Sequence, residues 1–225
     1  MAIFNSADIL LPKNVDFAKW SVVACDQYSS EPEYWKKAAE LADGSPSTLN
    51  IIYPEAYLNE ADGDKRIENI NRTMEKYLED GIFNEYKDSL IYVERTQQNG
   101  KTRCGIVGCI DLEAYDYSVG SQSPVRATEG TIISRIPPRQ RIRRNAPLEL
   151  PHILMLADDR KKEIIEPLAE IKDKLEVVYD FELMQGGGHI KGWLLDNATK
   201  AKILELVEKL ECQKGFEEKY GVSDK

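Results

Sequence analysis

The dipeptide Asn99-Gly100 lies between two strand-like segments and restricts the fold more than any other feature of the sequence. The flanking segments, residues 90–95 and 102–112, are rich in apolar side chains. Asn-Gly favours a tight turn between antiparallel strands, because both residues tolerate the positive φ values that this turn requires. We therefore expect at least one β-hairpin, which excludes an all-helical fold.

Helical periodicity is clearest in residues 62–81. Charged residues occupy one face there, and Gly81 is a typical helix stop signal. The opposite face carries an apolar stripe made of Ile67, Ile70, Met74, Tyr77 and Leu78. This segment predicts an amphipathic helix that packs on a core.

Further helices and strands alternate along the chain. We expect helices after a capping box formed by Ser30 and Glu33, after Asp159, where Pro167 should introduce a kink, and from Thr199. Short apolar runs predict strands at residues 20–25, 49–53 and 152–157 and a strand pair at 177–181 and 190–195. The mixture predicts an α/β or α+β fold, with a mixed sheet flanked by helices, in a single domain over residues 1–225.

The net charge and composition of the chain limit the classes of partner that it can bind. The 225 residues include 30 Lys and Arg against 39 Asp and Glu, a net charge of −9. A general nucleic-acid coat or an anionic-membrane binder would need a basic surface. No apolar run is long enough to span a membrane, and no secretory signal is visible. We therefore expect a cytoplasmic protein with reduced thiols and without a membrane or nucleic acid as its main partner.

Metal sites of familiar spacing are absent from the sequence. There are two histidines and four cysteines, and the cysteines form no Cys-x-x-Cys pair. A zinc site is therefore not predicted.

The basic segment, residues 126–144, stands out in an otherwise acidic chain. It contains one acid, Glu129, and six arginines: Arg126, Arg135, Arg139, Arg141, Arg143 and Arg144. A guanidinium group binds phosphate or carboxylate oxygens through two parallel hydrogen bonds, which lysine cannot do. The segment predicts a binding pocket for an anionic small molecule. The alternative is a surface segment that is neutralised by acids elsewhere in the chain.

The spacing of three arginines suggests how they would be arranged on a strand. Arg139, Arg141 and Arg143 would then share one face, and Arg144 would point the other way. Glu129 is the candidate catalytic residue, because an ionised carboxylate could deprotonate a substrate hydroxyl or hold Mg²⁺ against a phosphate. Alternatively, Glu129 only separates the arginines.

Additional candidates lie near predicted strand ends. Asp26 and Gln27 follow the strand at 20–25 and precede a helix, a position where anionic ligands collect. We expect them to line the pocket with Thr131 and His152. Cys25 at the same turn is either a nucleophile or, as we expect, a buried structural thiol.

Two other motifs have simple structural explanations. Asp158 and Asp159 could bind Mg²⁺, but Asp159 is better explained as a helix cap. The glycine-rich residues 186–189 lack the pattern of a phosphate-binding loop and favour a hairpin turn.

Three blocks of the sequence resemble a bacterial protein family. Residues 24–35, 126–139 and 148–152 are similar to the domain-of-unknown-function family 1015, and the resemblance covers nearly the whole chain. Members of this family are longer, so the resemblance implies that this chain is the N-terminal portion of a larger protein. Residues 128–131 match a His-Glu-x-Thr element of the family, with Thr128 in place of the histidine.

The resemblance also implies a remote similarity to ParB-like free-serine kinases. A phosphotransferase of this kind would use a nucleotide with Mg²⁺, its arginines would neutralise phosphate charge, and Glu129 would act on a substrate hydroxyl. The alternative function is a non-catalytic module that binds a metabolite or a partner protein.

Overall fold

The architecture comes from a computed structural model, which describes residues 3–58, 60–116, 118, 123, 125 and 132–210. The helices are α1 (Phe17–Trp20), α2 (Pro32–Ala42), α3 (Gly63–Glu79), α4 (Ile136–Arg144), α5 (Ile165–Ile171) and α6 (Asn197–Glu208). The strands are β1 (Phe4–Asn5), β2 (Ala7–Pro12), β3 (Phe83–Ser89), β4 (Ile91–Thr96), β5 (Thr102–Val107), β6 (Cys109–Ile110), β7 (Glu176–Leu183) and β8 (Gly188–Leu194). The fold is α/β, as predicted.

Two hairpins build the largest sheet. Its strand order is β5-β4-β8-β7, and each neighbouring pair is antiparallel. The β4–β5 hairpin encloses the Asn99-Gly100 turn, where Gly100 has a φ of 78°. The β7–β8 hairpin encloses the glycine-rich turn. Both hairpins confirm the sequence prediction.

Helix α3 packs its apolar stripe into a core that supports the functional region described below. Ile67, Ile70, Met74 and Tyr77 are buried as expected, whereas Leu78 is exposed. The Tyr77 hydroxyl accepts hydrogen bonds from the Ser47 N–H and from Asn50 Nδ2, each at 3.0 Å. These bonds hold the segment around residues 47–57 against α3.

The predicted strands at 20–25 and 49–53 are wrong. Trp20 ends α1, and its carbonyl accepts hydrogen bonds from Ser47 Oγ (3.0 Å) and Thr48 Oγ1 (2.8 Å). The N–H of Val22 donates to Thr48 Oγ1. Side chains rather than a neighbouring strand thus satisfy these backbone groups. Residues Thr48–Ile51 form a 3-10 helix capped by Ser47.

The predicted buried strand at 152–157 is also wrong. These residues belong to no strand of the described chain. Ile153, Leu154 and Leu156 are 76%, 68% and 81% exposed. A short apolar run does not by itself reveal whether its side chains are buried.

Three expectations about helix ends are corrected. The N-cap of α2 is Glu31, and no side chain caps it, so Ser30 and Glu33 do not form a capping box. Pro167 lies in the first turn of α5, where proline is tolerated, and it causes no internal kink. Asp159 is not the cap of this helix as expected, because the N-cap is Ile164; its carboxylate instead accepts a hydrogen bond from the Ile164 N–H at 2.8 Å, just before the helix. Of the described helices, none is long and apolar enough to cross a membrane.

Truncation of the α3 core should destabilise the chain. Met74 has no exposed surface, so Met74→Ala should lower the free energy of unfolding by about 2–5 kcal/mol through lost burial and a residual cavity. Glu75→Ala, one residue along on the exposed face, is the control and should change it by less than about 0.5 kcal/mol. Denaturant unfolding followed by circular dichroism measures both values, and equal losses would contradict this packing.

Candidate functional site

The described part of the basic segment is helical. A 3-10 turn, Ile133–Arg135, leads into α4, whose first turn contains Pro137 and Pro138. The strand arrangement considered for Arg139, Arg141 and Arg143 is therefore wrong. The Pro-Pro pair is the sequence signal for the helix, because proline fits the first helical turn and its φ is already helical. On a helix, residues four apart share a face, which brings Arg135 and Arg139 together.

Helix α4 is anchored by its apolar side. Ile142 packs against the core formed around α3. So do three apolar residues that follow the helix: Ala146, Leu148 and Leu150. This packing turns the arginines toward the neighbouring acids and the solvent.

One buried carboxylate, that of Glu55, pairs with two of the arginines. Its side chain is only 4% exposed. Arg139 donates a hydrogen bond from Nη2 to Glu55 Oε1, and Arg135 Nη1 lies 3.1 Å from Glu55 Oε2. The hydrogen bond to Glu55 raises the pKa of Arg139. Two guanidinium groups therefore share one buried carboxylate.

Glu55 is held in place by backbone and core. It begins the 3-10 turn Glu55–Tyr57, and its N–H donates to the Cys25 carbonyl at 2.8 Å. Sequence reasoning missed this residue. The signal was available, because Glu55 is a single charge within the apolar run 51–57, and a charge in such a run is seldom buried unless it is paired.

Two other arginines pair with exposed acids. Arg141 pairs with Asp64 in the first turn of α3, where the two side chains are 50% and 87% exposed. Arg143 pairs with Glu149 and donates to the Pro151 carbonyl at 3.2 Å. Exposed ion pairs of this kind contribute about 0–1 kcal/mol. Arg144 is exposed and pairs with no carboxylate among residues 3–58, 60–116 and 132–210.

These pairings bear on the two interpretations of the basic segment. Neutralisation by acids elsewhere in the chain predicts such pairs, and four of the arginines form them. Binding of an anionic molecule stays a prediction. It depends on whether any arginine also faces a cavity.

A cavity of about 570 Å³ lies between the Glu55–Tyr57 turn, the start of α3 and the start of α4. We refer to it as the Glu55 cavity. Arg135 and Arg141 line it on the α4 side. Its other polar lining residues, among those described, are Ser29, Tyr53, Glu55, Glu60, Asp64 and Ser134. The cavity therefore offers two guanidinium groups, three carboxylates and several hydroxyls to a polar ligand.

The residues expected to line a pocket are distributed differently. Asp26 and Gln27 are exposed and do not line the Glu55 cavity, although the charge of Asp26 acts on the Cys25 thiol and on Arg139. His152 is also outside the cavity. Desolvation of its imidazole lowers the pKa of His152, which Glu149 opposes and Arg143 reinforces.

Three predicted site residues fall outside the described part of the chain. They are Arg126, Glu129 and Thr131. Their roles as anion-binding, catalytic and pocket-lining residues stay predictions. Within the ranges that the structure describes, no three His, Cys, Asp or Glu side chains are grouped so as to hold a metal ion.

Cys25 has the environment of a structural thiol. It is buried, and burial followed by the charge of Asp26 raises the pKa of the Cys25 thiol. A high pKa leaves little of the nucleophilic thiolate near neutral pH. Cys109, by contrast, is exposed.

The Glu55 pairing should contribute measurably to stability. Glu55→Ala removes the shared carboxylate and should lower the free energy of unfolding by about 1–3 kcal/mol. Asp64→Ala removes an exposed carboxylate that also pairs with an arginine of α4, and its cost should stay below about 1 kcal/mol. Urea unfolding of both variants makes the comparison, and a larger loss for Asp64→Ala would refute the assignment of Glu55 as the anchor.

The thiols of Cys25 and Cys109 should differ in their reactivity toward alkylating reagents. At mildly alkaline pH, iodoacetamide should alkylate Cys109 at least about tenfold faster than Cys25, because Cys25 is buried and its thiolate is disfavoured. Peptide mass spectrometry of timed samples measures both rates. In denaturant the two rates should converge, and equal rates in the folded chain would show that Cys25 is accessible.

A known family matches most of the chain. The model of a family described as "Protein of unknown function (DUF1015)" matches residues 8–214, a range that includes Glu55 and the whole basic segment. No curated protein and no solved structure matches the chain significantly. The family match confirms the resemblance seen in the three sequence blocks. The chain belongs to the DUF1015 family of proteins of unknown function.

Proposed function

We propose that this chain binds a small molecule carrying a phosphate or carboxylate group in the Glu55 cavity, through Arg135 and Arg141. The observation that carries the proposal is the sharing of one buried carboxylate by Arg135 and Arg139. The arrangement orients two guanidinium groups beside a cavity of suitable size. Fixed guanidinium groups lose little entropy when they bind an anion.

The donors needed for an anion are available at both arginines. Arg135 contacts Glu55 through Nη1, and Arg141 contacts Asp64 through Nη1. The remaining guanidinium nitrogens can therefore donate to phosphate or carboxylate oxygens. Because Asp64 is highly exposed, an incoming anion can displace it from Arg141 at little cost.

Catalysis would extend this binding function. A phosphotransferase would bring a nucleotide with Mg²⁺ into the cavity, and Glu129 would accept the proton of a substrate hydroxyl. Arg126, Glu129 and Thr131 lie outside the described residues. Anion binding is accordingly the function that the described geometry supports best, with a non-catalytic module as the alternative to an enzyme.

Calorimetric titration tests the binding. The chain should bind inorganic phosphate or ATP with an affinity that falls as salt is added. Arg141→Ala should weaken binding about tenfold or more, since hydrogen bonds to charged groups are strong. Arg144→Ala is the matched control, because it removes the same charge from the same helix but lies outside the cavity. Absence of binding, or an equal loss in both variants, would refute the proposal.

A substitution of Glu129 distinguishes an enzyme from a binding module. If the chain transfers phosphate from ATP, Glu129→Ala should abolish most of the turnover and leave calorimetric ATP binding within about twofold, as expected for general-base catalysis. Turnover unchanged by Glu129→Ala would remove this residue from the mechanism. ATP binding without any turnover would favour the module.

A further inference from the structure

Four consecutive apolar side chains are exposed before α5. Ile153, Leu154, Met155 and Leu156 are 76%, 68%, 44% and 81% exposed, and we refer to them as the exposed apolar segment. Single exposed apolar residues are common on folded proteins, whereas a contiguous group of them marks a surface that binds another element. Odd and even positions are exposed alike, so the segment does not place one face on the core as an amphipathic strand does.

The backbone of the exposed apolar segment is available for pairing. Residues 152–158 belong to no helix or strand. The N–H and carbonyl groups of residues 153–157 form no hydrogen bond with any other described residue. Such a row of unpaired groups is what a neighbouring strand pairs with. Residues 152–158 contain no glycine or proline, so they can form a strand on pairing.

The exposed apolar segment matches itself better than it matches the remainder of the chain. The two longest stretches outside the described residues, 126–131 and 211–225, contain no two large apolar residues in succession. In an antiparallel alignment of two copies centred on Met155, Leu154 of each copy lies opposite Leu156 of the other. Apolar cross-strand pairs of this kind stabilise strand pairing.

The charges on either side of the segment favour the antiparallel alignment. Glu149, which precedes the segment, pairs with Arg143 and still is 63% exposed. Lys161, which follows the segment, is exposed. The antiparallel alignment brings Glu149 of one copy toward Lys161 of the other, whereas a parallel alignment places Lys161 beside Lys161. Opposite charges across a strand pair stabilise it, and like charges destabilise it.

We propose that the exposed apolar segment pairs antiparallel with the same segment of a second copy of this chain, which gives a two-fold symmetric dimer. This contact is smaller than the roughly 1,200–2,000 Å² of a standard interface, so the dimer is weak and reversible. Each copy has a net charge of −9. Added salt therefore strengthens the dimer, because it screens the repulsion between the copies. The dimer does not depend on the anion-binding function proposed above.

Sedimentation velocity at about 5 to 500 µM chain tests the dimer. The mass should rise with concentration from 25.6 kDa toward twice that value. Leu154→Asp places a charge in the contact and should raise the dissociation constant at least about tenfold. Because Leu154 is exposed in the single chain, this variant keeps its fold. Leu112→Asp is the matched control, since Leu112 is 75% exposed and lies outside the segment, and it should change the constant by less than about twofold.

Cross-linking tests the alignment of the two copies. A short bismaleimide should join two copies of Met155→Cys, because residue 155 lies opposite itself in the antiparallel pair. Leu112→Cys, which has the same native cysteines, should give much less cross-linked dimer. Equal cross-linking of the two variants would contradict the alignment.

Four other results would overturn the proposal. The first is a monomer at every concentration. The second is self-association that Leu154→Asp leaves unchanged, because another surface then forms the contact. The third is continued growth beyond a dimer, which indicates a head-to-tail contact. The fourth is protection of the amides of residues 153–157 from hydrogen exchange in the monomer, which shows that the chain itself covers the segment.

Discussion

The contact of Glu55 with Arg135 and Arg139 determines the geometry of the candidate site. Burial of a carboxylate costs several kcal/mol unless compensating charges and hydrogen bonds accompany it. The Glu55 N–H donates a hydrogen bond to the Cys25 carbonyl, and the Glu55–Tyr57 turn packs against the core formed around α3. These contacts hold Glu55 in place. Hydrophobic packing thus sets the position of the carboxylate, and the carboxylate sets the position of the arginines. The direction of the two guanidinium groups does not depend on weak surface ion pairs.

The basic segment therefore contains contacts of two kinds. The carboxylate shared by Arg135 and Arg139 is buried, whereas Arg141 and Arg143 pair with exposed acids. The fixed pair supplies a preorganised charge, and the exposed pairs are weak enough to exchange for a ligand. This division explains how one segment can be partly neutralised by the acids of the chain and still offer donors to an anion.

The parts of the fold that were predictable from sequence have strong local causes. Asn99-Gly100 determines a turn type, and the stripe on α3 repeats over a whole helix. The segments at 20–25 and 152–157 were mispredicted because short apolar runs carry no periodicity. Whether they pair depends on distant side chains, such as those of Ser47 and Thr48, which bind the Trp20 carbonyl.

The candidate site was only half predictable for a similar reason. The density of arginine marked α4 as unusual, but the partner of Arg135 and Arg139 lies about 80 residues earlier in the chain. No local pattern connects positions so far apart. The lone charge of Glu55 in an apolar run was the available signal, and it indicated burial without identifying a partner.

A crystal structure of the chain with inorganic phosphate tests the account most directly. It should place the phosphate between Arg135 and Arg141, with Arg139 still hydrogen-bonded to Glu55. A cavity filled by water alone at saturating ligand, with Arg141 still paired with Asp64, would contradict the account.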